Sequence, residues 1–265
     1  ITGSTGIEKL EGGTEGGDDT IVSGGGNDTI YGRAGADLIK LDAAGTVNVQ
    51  AGAGNDTIEL TLSQLTFEDT VKGEDGSDTI AVIGTPADFD MSSANSVAEK
   101  SFDAISSIET LAFGGSSTYN LAGNTKTVTL SAKAQTAGIT SITAEDATGT
   151  AGAILKVFAS TFTSSTNLTL TGSDDGDVNV SFKGGSGNDT LISGAIGTAA
   201  GDTLFGGDGI DTFRVVATDN DVEIDDLGSG GAETLIVTST ASGVNADVTA
   251  DYVAPSTTSN SKSWQ

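Results

Sequence analysis

The sequence predicts an all-β chain: a parallel β-solenoid of the β-roll kind, wound from short strands and glycine turns, with a β-rich middle of different composition. Three observations predict it. A nine-residue block rich in Gly, Asp, Asn and Thr recurs in a single frame. Its acidic residue returns at nine-residue spacing. And 37 acidic residues against 11 basic, a net charge of −26, accompany 36% hydrophobic residues, enough for a core if cations neutralise the carboxylates.

The block reads G-G-x-G-x-D-x-U-x, with U a large apolar residue. Its best copies are SGGGNDTIY at 23–31, GRAGADLIK at 32–40, AGAGNDTIE at 51–59, GEDGSDTIA at 73–81, GGSGNDTLI at 184–192 and GGDGIDTFR at 206–214. A weaker copy, TEGGDDTIV at 14–22, lacks the first two glycines. Asp19, Asp28 and Asp37 are nine apart, as are Asp69 and Asp78, and Asp202 and Asp211; the step from Asp37 to Asp56 is 19. One Asn-Gly block is an ordinary turn wherever φ is positive, but six good copies in one frame exceed turn chemistry.

The residue types fit a divalent cation. Ca²⁺ takes six to eight hard oxygens, and one carboxylate with several backbone carbonyls supplies such a shell. Glycine lets the backbone curl until its carbonyls converge, in conformations a Cβ resists. The following x-U-x is a short strand with U turned inward. Nine residues make half a coil and eighteen a full one, so an ion is expected between turns of neighbouring coils, stacked about 4.8 Å apart.

The nonapeptides resemble those of the RTX (repeats-in-toxin, hemolysin-type calcium-binding) family, specifically over 14–81 and 184–214. The resemblance implies a parallel β-roll, Ca²⁺ as the bound ion, and export from the cell, by type I secretion. It implies ligation by the sixth-position aspartates Asp19, Asp28, Asp37, Asp56, Asp78, Asp189 and Asp211. Carbonyls of the glycine turns join them, from Gly17, Gly24, Gly26, Gly35, Gly52, Gly54, Gly76, Gly185, Gly187, Gly207 and Gly209. Asp69 and Asp202 are in frame as metal candidates too, but Phe67 and Ala200 replace their fourth-position glycines. Parity puts Asp19, Asp37 and Asp56 on one side, joined by Asp78 if four residues loop out. Asp189 and Asp211 share a side. Asp28 falls opposite, with Thr46 expected as its partner, on a metal-poor edge.

Adding 133 maps Asp56, Asp69 and Asp78 onto Asp189, Asp202 and Asp211, so 51–83 and 184–216 read as copies. IEKL at 7–10, IETL at 108–111 and AETL at 232–235 form a second recurrent element, similar to steps in bacterial surface-layer proteins and large RTX adhesins. The chain divides into a first calcium block at 1–83, a middle at 84–183, a second block at 184–216 and a strand-and-linker tail at 217–265. In the middle, TVTL, ITSI, ILKVF, LTL and VNVSF recur at strand-like spacing, which favours a continuing, metal-poor solenoid over a separate fold. A short helix is expected at 93–105.

Composition also excludes. No Cys and no His means no disulfide, no thiolate zinc site and none of the usual general-base arrangements. The acidity opposes nucleic acid and anionic membranes, and no apolar run reaches the ~20 residues of a membrane span. A carboxylate-pair glycosidase lacks aromatic platforms here, with one Trp and three Tyr. Ice binding by Thr rows is weakly grounded, since Thr suits any exposed β face. The sequence therefore reads as no enzyme in itself. It reads as a calcium-rigidified segment of a secreted, surface-layer-like protein, with calcium and self-association or neighbouring surface proteins as partners. The alternative is a folding and secretion module of an enzyme or toxin whose catalytic domain lies elsewhere.

Overall fold

The computed structural model describes residues 1–13, 16–66, 68–84, 89–91, 101–115, 118–194, 201–216, 222–227, 232–237 and 244–248. The first four coils use β1 (Lys9–Glu11), β2 (Thr20–Val22), β3 (Asp28–Ala34), β4 (Leu38–Lys40), β5 (Val47–Ala53), β6 (Thr57–Leu60), β7 (Thr70–Asp75) and β8 (Thr79–Val82). The middle adds β9 (Phe89–Asp90), β10 (Ile105–Ser106), β11 (Thr110–Phe113), β12 (Tyr119–Asn120), β13 (Thr125–Thr129), α1 (Ala132–Ala137), β14 (Ser141–Thr143), β15 (Ala147–Thr148), β16 (Ala153–Phe158), β17 (Thr169–Thr171) and β18 (Val178–Lys183). The last coils use β19 (Thr190–Ile192), β20 (Thr203–Phe205), β21 (Thr212–Val215), β22 (Val222–Leu227), β23 (Thr234–Val237) and β24 (Val244–Val248).

All strand pairs are parallel, as a solenoid requires. One ten-stranded sheet, β2-β4-β6-β8-β11-β14-β17-β19-β21-β23, runs the length of the molecule as a spine. The opposite face is β1-β3-β5-β7-β10, succeeded by β9-β13-β16-β18-β20-β22-β24. The β-roll fold class is thus borne out, and the spine passes through the middle unbroken.

Spine register follows the nonapeptide. The U residues Ile21, Ile39, Ile58, Ile80, Leu111, Ile142, Leu170, Leu191, Phe213 and Leu235 stack in one row, all buried. Leu10, Ile30, Val49, Val71 and Ile105 face them from across the first coils, and a single core results. The residue before each U is Thr on every spine strand except at Leu38 and Ser141, half-exposed at nearly every rung, where a β-branched side chain suits the pleat.

Coil length departs from the eighteen-residue unit, in the middle by far more than the one- and four-residue insertions that the aspartate spacing shows. Successive spine strands start at 20, 38, 57, 79, 110, 141, 169, 190, 212 and 234, steps of 18, 19, 22, 31, 31, 28, 21, 22 and 22. The wide middle coils hold the small β12–β15 pair and α1. Ser131 caps α1 by accepting the Lys133 N–H, and Gly138 closes it at φ 114°. The helix expected at 93–105 lies mostly outside the described residues, and its C-terminal end is corrected: Ile105 opens β10 and pairs with Val71.

Candidate metal centre

Of the best nonapeptides, all but 23–31, which leads into β3, run from the opposite face into a spine strand, so the residue before that strand stands at one edge of the roll. Spine register places Asp19, Asp37, Asp56, Asp78, Glu109, Thr140, Leu168, Asp189, Asp211 and Glu233 there in one row. The two sides inferred separately for the two blocks are one and the same edge. Thr140 and Leu168 interrupt the carboxylates, so the coils entering β14 and β17 carry none in this row.

The row is a hydrogen-bonded ladder. Asp37 Oδ1 accepts the Asp19 N–H at 2.8 Å, Asp56 Oδ1 the Asp37 N–H at 2.8 Å and Asp78 Oδ1 the Asp56 N–H at 2.9 Å. Asp189 Oδ1 takes the Leu168 N–H and Asp211 Oδ1 the Asp189 N–H, both at 2.8 Å. Each aspartate thereby satisfies a backbone donor of the coil before it. The fifth-position residue works the other way: Asn55 Oδ1 accepts the Ser77 N–H and Asn188 Oδ1 the Ile210 N–H, both from the following coil. An Asn-Asp pair thus grips both neighbours.

The second carboxylate oxygen decides what the site can hold. Oδ2 of Asp28, Asp37, Asp56, Asp78 and Asp211 is buried and has no hydrogen-bond partner. These residues are at most 2% exposed. An unpartnered buried carboxylate oxygen is costly, and five in related positions call for a common cation or proton. Burial, ahead of like-charge neighbours, drives the Asp56 carboxyl up to about 6 and Asp211 up to about 7, and raises Asp28, Asp37 and Asp78 as well.

Glycine geometry completes the cradle. A Cβ on Gly32 would lie 2.5 Å from Asp37 Oδ2 and would also strike the Ala51 carbonyl oxygen of the next coil. Gly73 is hemmed in the same way by Asp78 Oδ2 and the Ser107 carbonyl, and Gly206 by Asp211 Oδ2. Fourth-position glycines stack too: Cβ atoms on Gly35, Gly54 and Gly76 would collide with the carbonyls of Gly17, Gly35 and Gly54, and on Gly209 with that of Gly187. Of the eleven predicted glycines, Gly24, Gly26, Gly35, Gly52, Gly54, Gly76, Gly207 and Gly209 have φ between 79° and 144°, while Gly17, Gly185 and Gly187 do not. Among the described residues no three acidic side chains close around one point, so a cation there takes most of its oxygens from backbone carbonyls. One carboxylate amid carbonyls is a shell of hard oxygens, which fits Ca²⁺.

Four predicted aspartates differ. Asp19 Oδ2 accepts the Gly13 N–H at 2.6 Å and Asp189 Oδ2 the Gly185 N–H at 2.8 Å. Asp69 and Asp202 stand on the opposite edge, with both oxygens used: Asp69 by Val47 and Thr66, Asp202 by Val180 and Gly194. Phe67 and Ala200 lie outside the described residues. Asp28 is also on that edge, and its partner one coil on is Val47, not Thr46, because the coil is 19 residues long. Val47 offers no side-chain oxygen.

Several residues escaped the sequence reading. Glu8 and Glu233 occupy the sixth position of nonapeptides written GSTGIEKLE at 3–11 and GSGGAETLI at 228–236, a signal visible once Glu is allowed for Asp. Asp28 Oδ1 accepts the Glu8 N–H at 3.0 Å, as the ladder predicts. Asp226 had no such signal; it accepts the N–H groups of Gly206 and Gly207 at 3.0 and 2.7 Å, and burial raises its pKa.

Comparison with known families agrees with this geometry. The RTX calcium-binding nonapeptide repeat matches residues 14–43, 44–60, 66–81, 179–195 and 196–214, together less than half of the chain. No curated protein and no solved structure matches the chain significantly. Frame, ladder and family match converge: the chain carries RTX calcium-binding nonapeptide repeats, wound into a β-roll on either side of wide middle coils.

Proposed function

We propose that the chain is a calcium-binding structural segment of a secreted bacterial surface-layer-like protein, which folds and assembles in extracellular calcium and is not itself catalytic. Its RTX repeats make it a calcium-binding module of the kind found in secreted proteins, typically exported by type I secretion. The observation that carries the reading is the set of five buried, unpartnered Oδ2 atoms, on Asp28, Asp37, Asp56, Asp78 and Asp211. These aspartates are the proposed ligands, with carbonyls of the adjoining glycine turns. Bound Ca²⁺ would supply cross-links between coils in a chain that has no cysteine. The two blocks, 1–83 and 184–216, hold the ions. The middle, 84–183, serves as a metal-poor spacer, and 217–265 continues as strand and linker.

Two features support assembly: a net charge of −26 that calcium can offset, and an uninterrupted parallel spine that can stack on like edges. Far-UV circular dichroism should show little β structure in EGTA and a cooperative gain in millimolar calcium; an unchanged spectrum refutes the calcium role. Electron microscopy of the parent protein should show ordered sheets or filaments in calcium that disperse on chelation. Monodisperse particles in calcium refute the surface-layer reading and favour a folding module of a secreted enzyme or toxin.

A further inference from the structure

Two carboxylates outside the matched repeats stand where each run of aspartate turns ends. Glu109 follows Asp78 in the edge row and Glu233 follows Asp211, one coil on in each case. Both come from the E-T-L element, which aligns on the spine with D-T-I and D-T-F of the nonapeptides.

We propose that Glu109 and Glu233 are cation ligands, each completing one further site against the turn below it, 73–78 and 206–211 respectively. The inference rests on the calcium reading of the aspartate turns and extends it to residues of another type. Glu109 Oε2 accepts the Asp78 N–H at 2.7 Å, the bond that an aspartate makes elsewhere in the ladder. Its other oxygen takes no hydrogen bond among the described residues, and the side chain is half-buried. Facing it, Asp78 is fully buried with Oδ2 unpartnered. That oxygen and the Ser107 carbonyl crowd the same point beside Gly73, with no donor between them. Ser107 holds φ 54°, left-handed backbone that a non-glycine residue adopts at a cost. Oxygens gathered without hydrogens are repulsive until a cation joins them.

The coil bearing Glu109 explains why Glu is used. From Ser107, which follows the β10 strand, only Ile108 intervenes before Glu109, whereas the coil below spans Gly73 to Asp78. Without a glycine turn of its own, this coil has few carbonyls to offer. The extra methylene of Glu lets its carboxylate reach back to the turn below. At the other end, Glu233 is 7% exposed, its coil is fixed by the Thr234 N–H donated to the Asp211 carbonyl at 2.8 Å, and Asp211 Oδ2 is again unpartnered. Glu233 and Asp226 both bear on the Asp211 carboxylate as like charges, so this end is more acidic still.

The test is calcium stoichiometry of the full chain, by native mass spectrometry and equilibrium dialysis with calcium alone as probe. Glu→Gln keeps one oxygen acceptor, as the ladder bond at Glu109 requires, and replaces the other by an uncharged NH₂ that cannot ligate a cation. Glu109→Gln and Glu233→Gln should each bind one ion fewer than the unmodified chain, and the double variant two fewer, with β structure retained at saturating calcium. Glu145→Gln, on an exposed site in the middle coils, should leave the count unchanged. An unchanged count in Glu109→Gln or Glu233→Gln overturns the assignment at that end. A loss equal in Glu145→Gln, or collapse of the spectrum even in saturating calcium, overturns it as well. If the unmodified chain itself binds no calcium, it is the underlying calcium reading that has failed.

Discussion

Replacing Asp56 by Asn should change stability in opposite directions with and without calcium. Asn keeps the oxygen that accepts the Asp37 N–H and removes the charge from a carboxyl that is 1% exposed. Burial, then the nearby Asp37 and Asp78, raise that carboxyl from 3.8 to about 6 in the metal-free fold. A raised carboxyl pKa stabilises the fold below pH 3.8, and the contribution is lost as pH climbs through about 6. At pH 7.5 the ionised side chain therefore opposes the metal-free fold, by roughly 3 kcal/mol at about 1.4 kcal/mol per pKa unit. The amide must find partners for its NH₂, so Asp56→Asn should recover on the order of 2 kcal/mol of this. In calcium the sign reverses, because a site that binds at a hundredfold over its Kd contributes about 2.7 kcal/mol and the variant forfeits it. The assay is a calcium titration followed by far-UV circular dichroism at pH 7.5. Asp56→Asn should retain more β structure than the unmodified chain in EGTA, yet need more calcium to complete folding. A shift of the same sign at both ends of the titration would refute the reasoning.

Other expectations follow from the same geometry. In EGTA, acidification from pH 7.5 to 5 should increase β structure as Asp211, at about 7, and Asp56, at about 6, take up protons; in calcium the same change should weaken folding, because protons compete for the oxygens. Asp37→Ala should lower calcium affinity strongly, since its Oδ2 is unpartnered, whereas Asp202→Ala should destabilise by about 1–3 kcal/mol equally with and without calcium, since it strands the Val180 and Gly194 N–H groups. Matched melts in the two conditions distinguish these. Gly206→Ala should raise the calcium midpoint at least about tenfold, because its Cβ would press on Asp211 Oδ2 while its φ lies outside the left-handed region; an unaltered isotherm would remove Gly206 from the cradle.

Much of this was legible because the nonapeptide couples chemistry to register: once Asp is fixed, Thr and the inward apolar residue follow, and the strands at 57–60, 79–82 and 190–192 fall where the frame puts them. The strand-like runs of the middle were also visible, since alternation marks TVTL and ILKVF whatever the coil length. Coil length was legible only where in-frame aspartates bound a coil, as in the 19 residues from Asp37 to Asp56; where an insertion is absorbed was not. One extra residue between Asp28 and Val47 displaced Thr46, and nothing local announces it. Occupancy of the second carboxylate oxygen was equally hidden: Asp189 and Asp211 share a motif, yet only Asp189 Oδ2 receives a glycine N–H, from Gly185. α1 escaped notice because six residues, AKAQTA, carry too little periodicity; Ser131 and Gly138 at its ends were the available marks.

The unequal coils also act as an address. Tandem repeats of one length can slide by a whole unit and pair with the wrong neighbour, at small cost in hydrogen bonds. Here a slip by one rung would set the 31-residue coil that ends at Thr110 where the 22-residue coil that ends at Thr79 belongs, leaving nine residues with nowhere to go. The wide middle coils therefore lock the stacking order of the narrow ones on both sides. A variant chain trimmed to equal coils should lose that protection, and populate shifted or strand-exchanged forms that the natural spacing excludes.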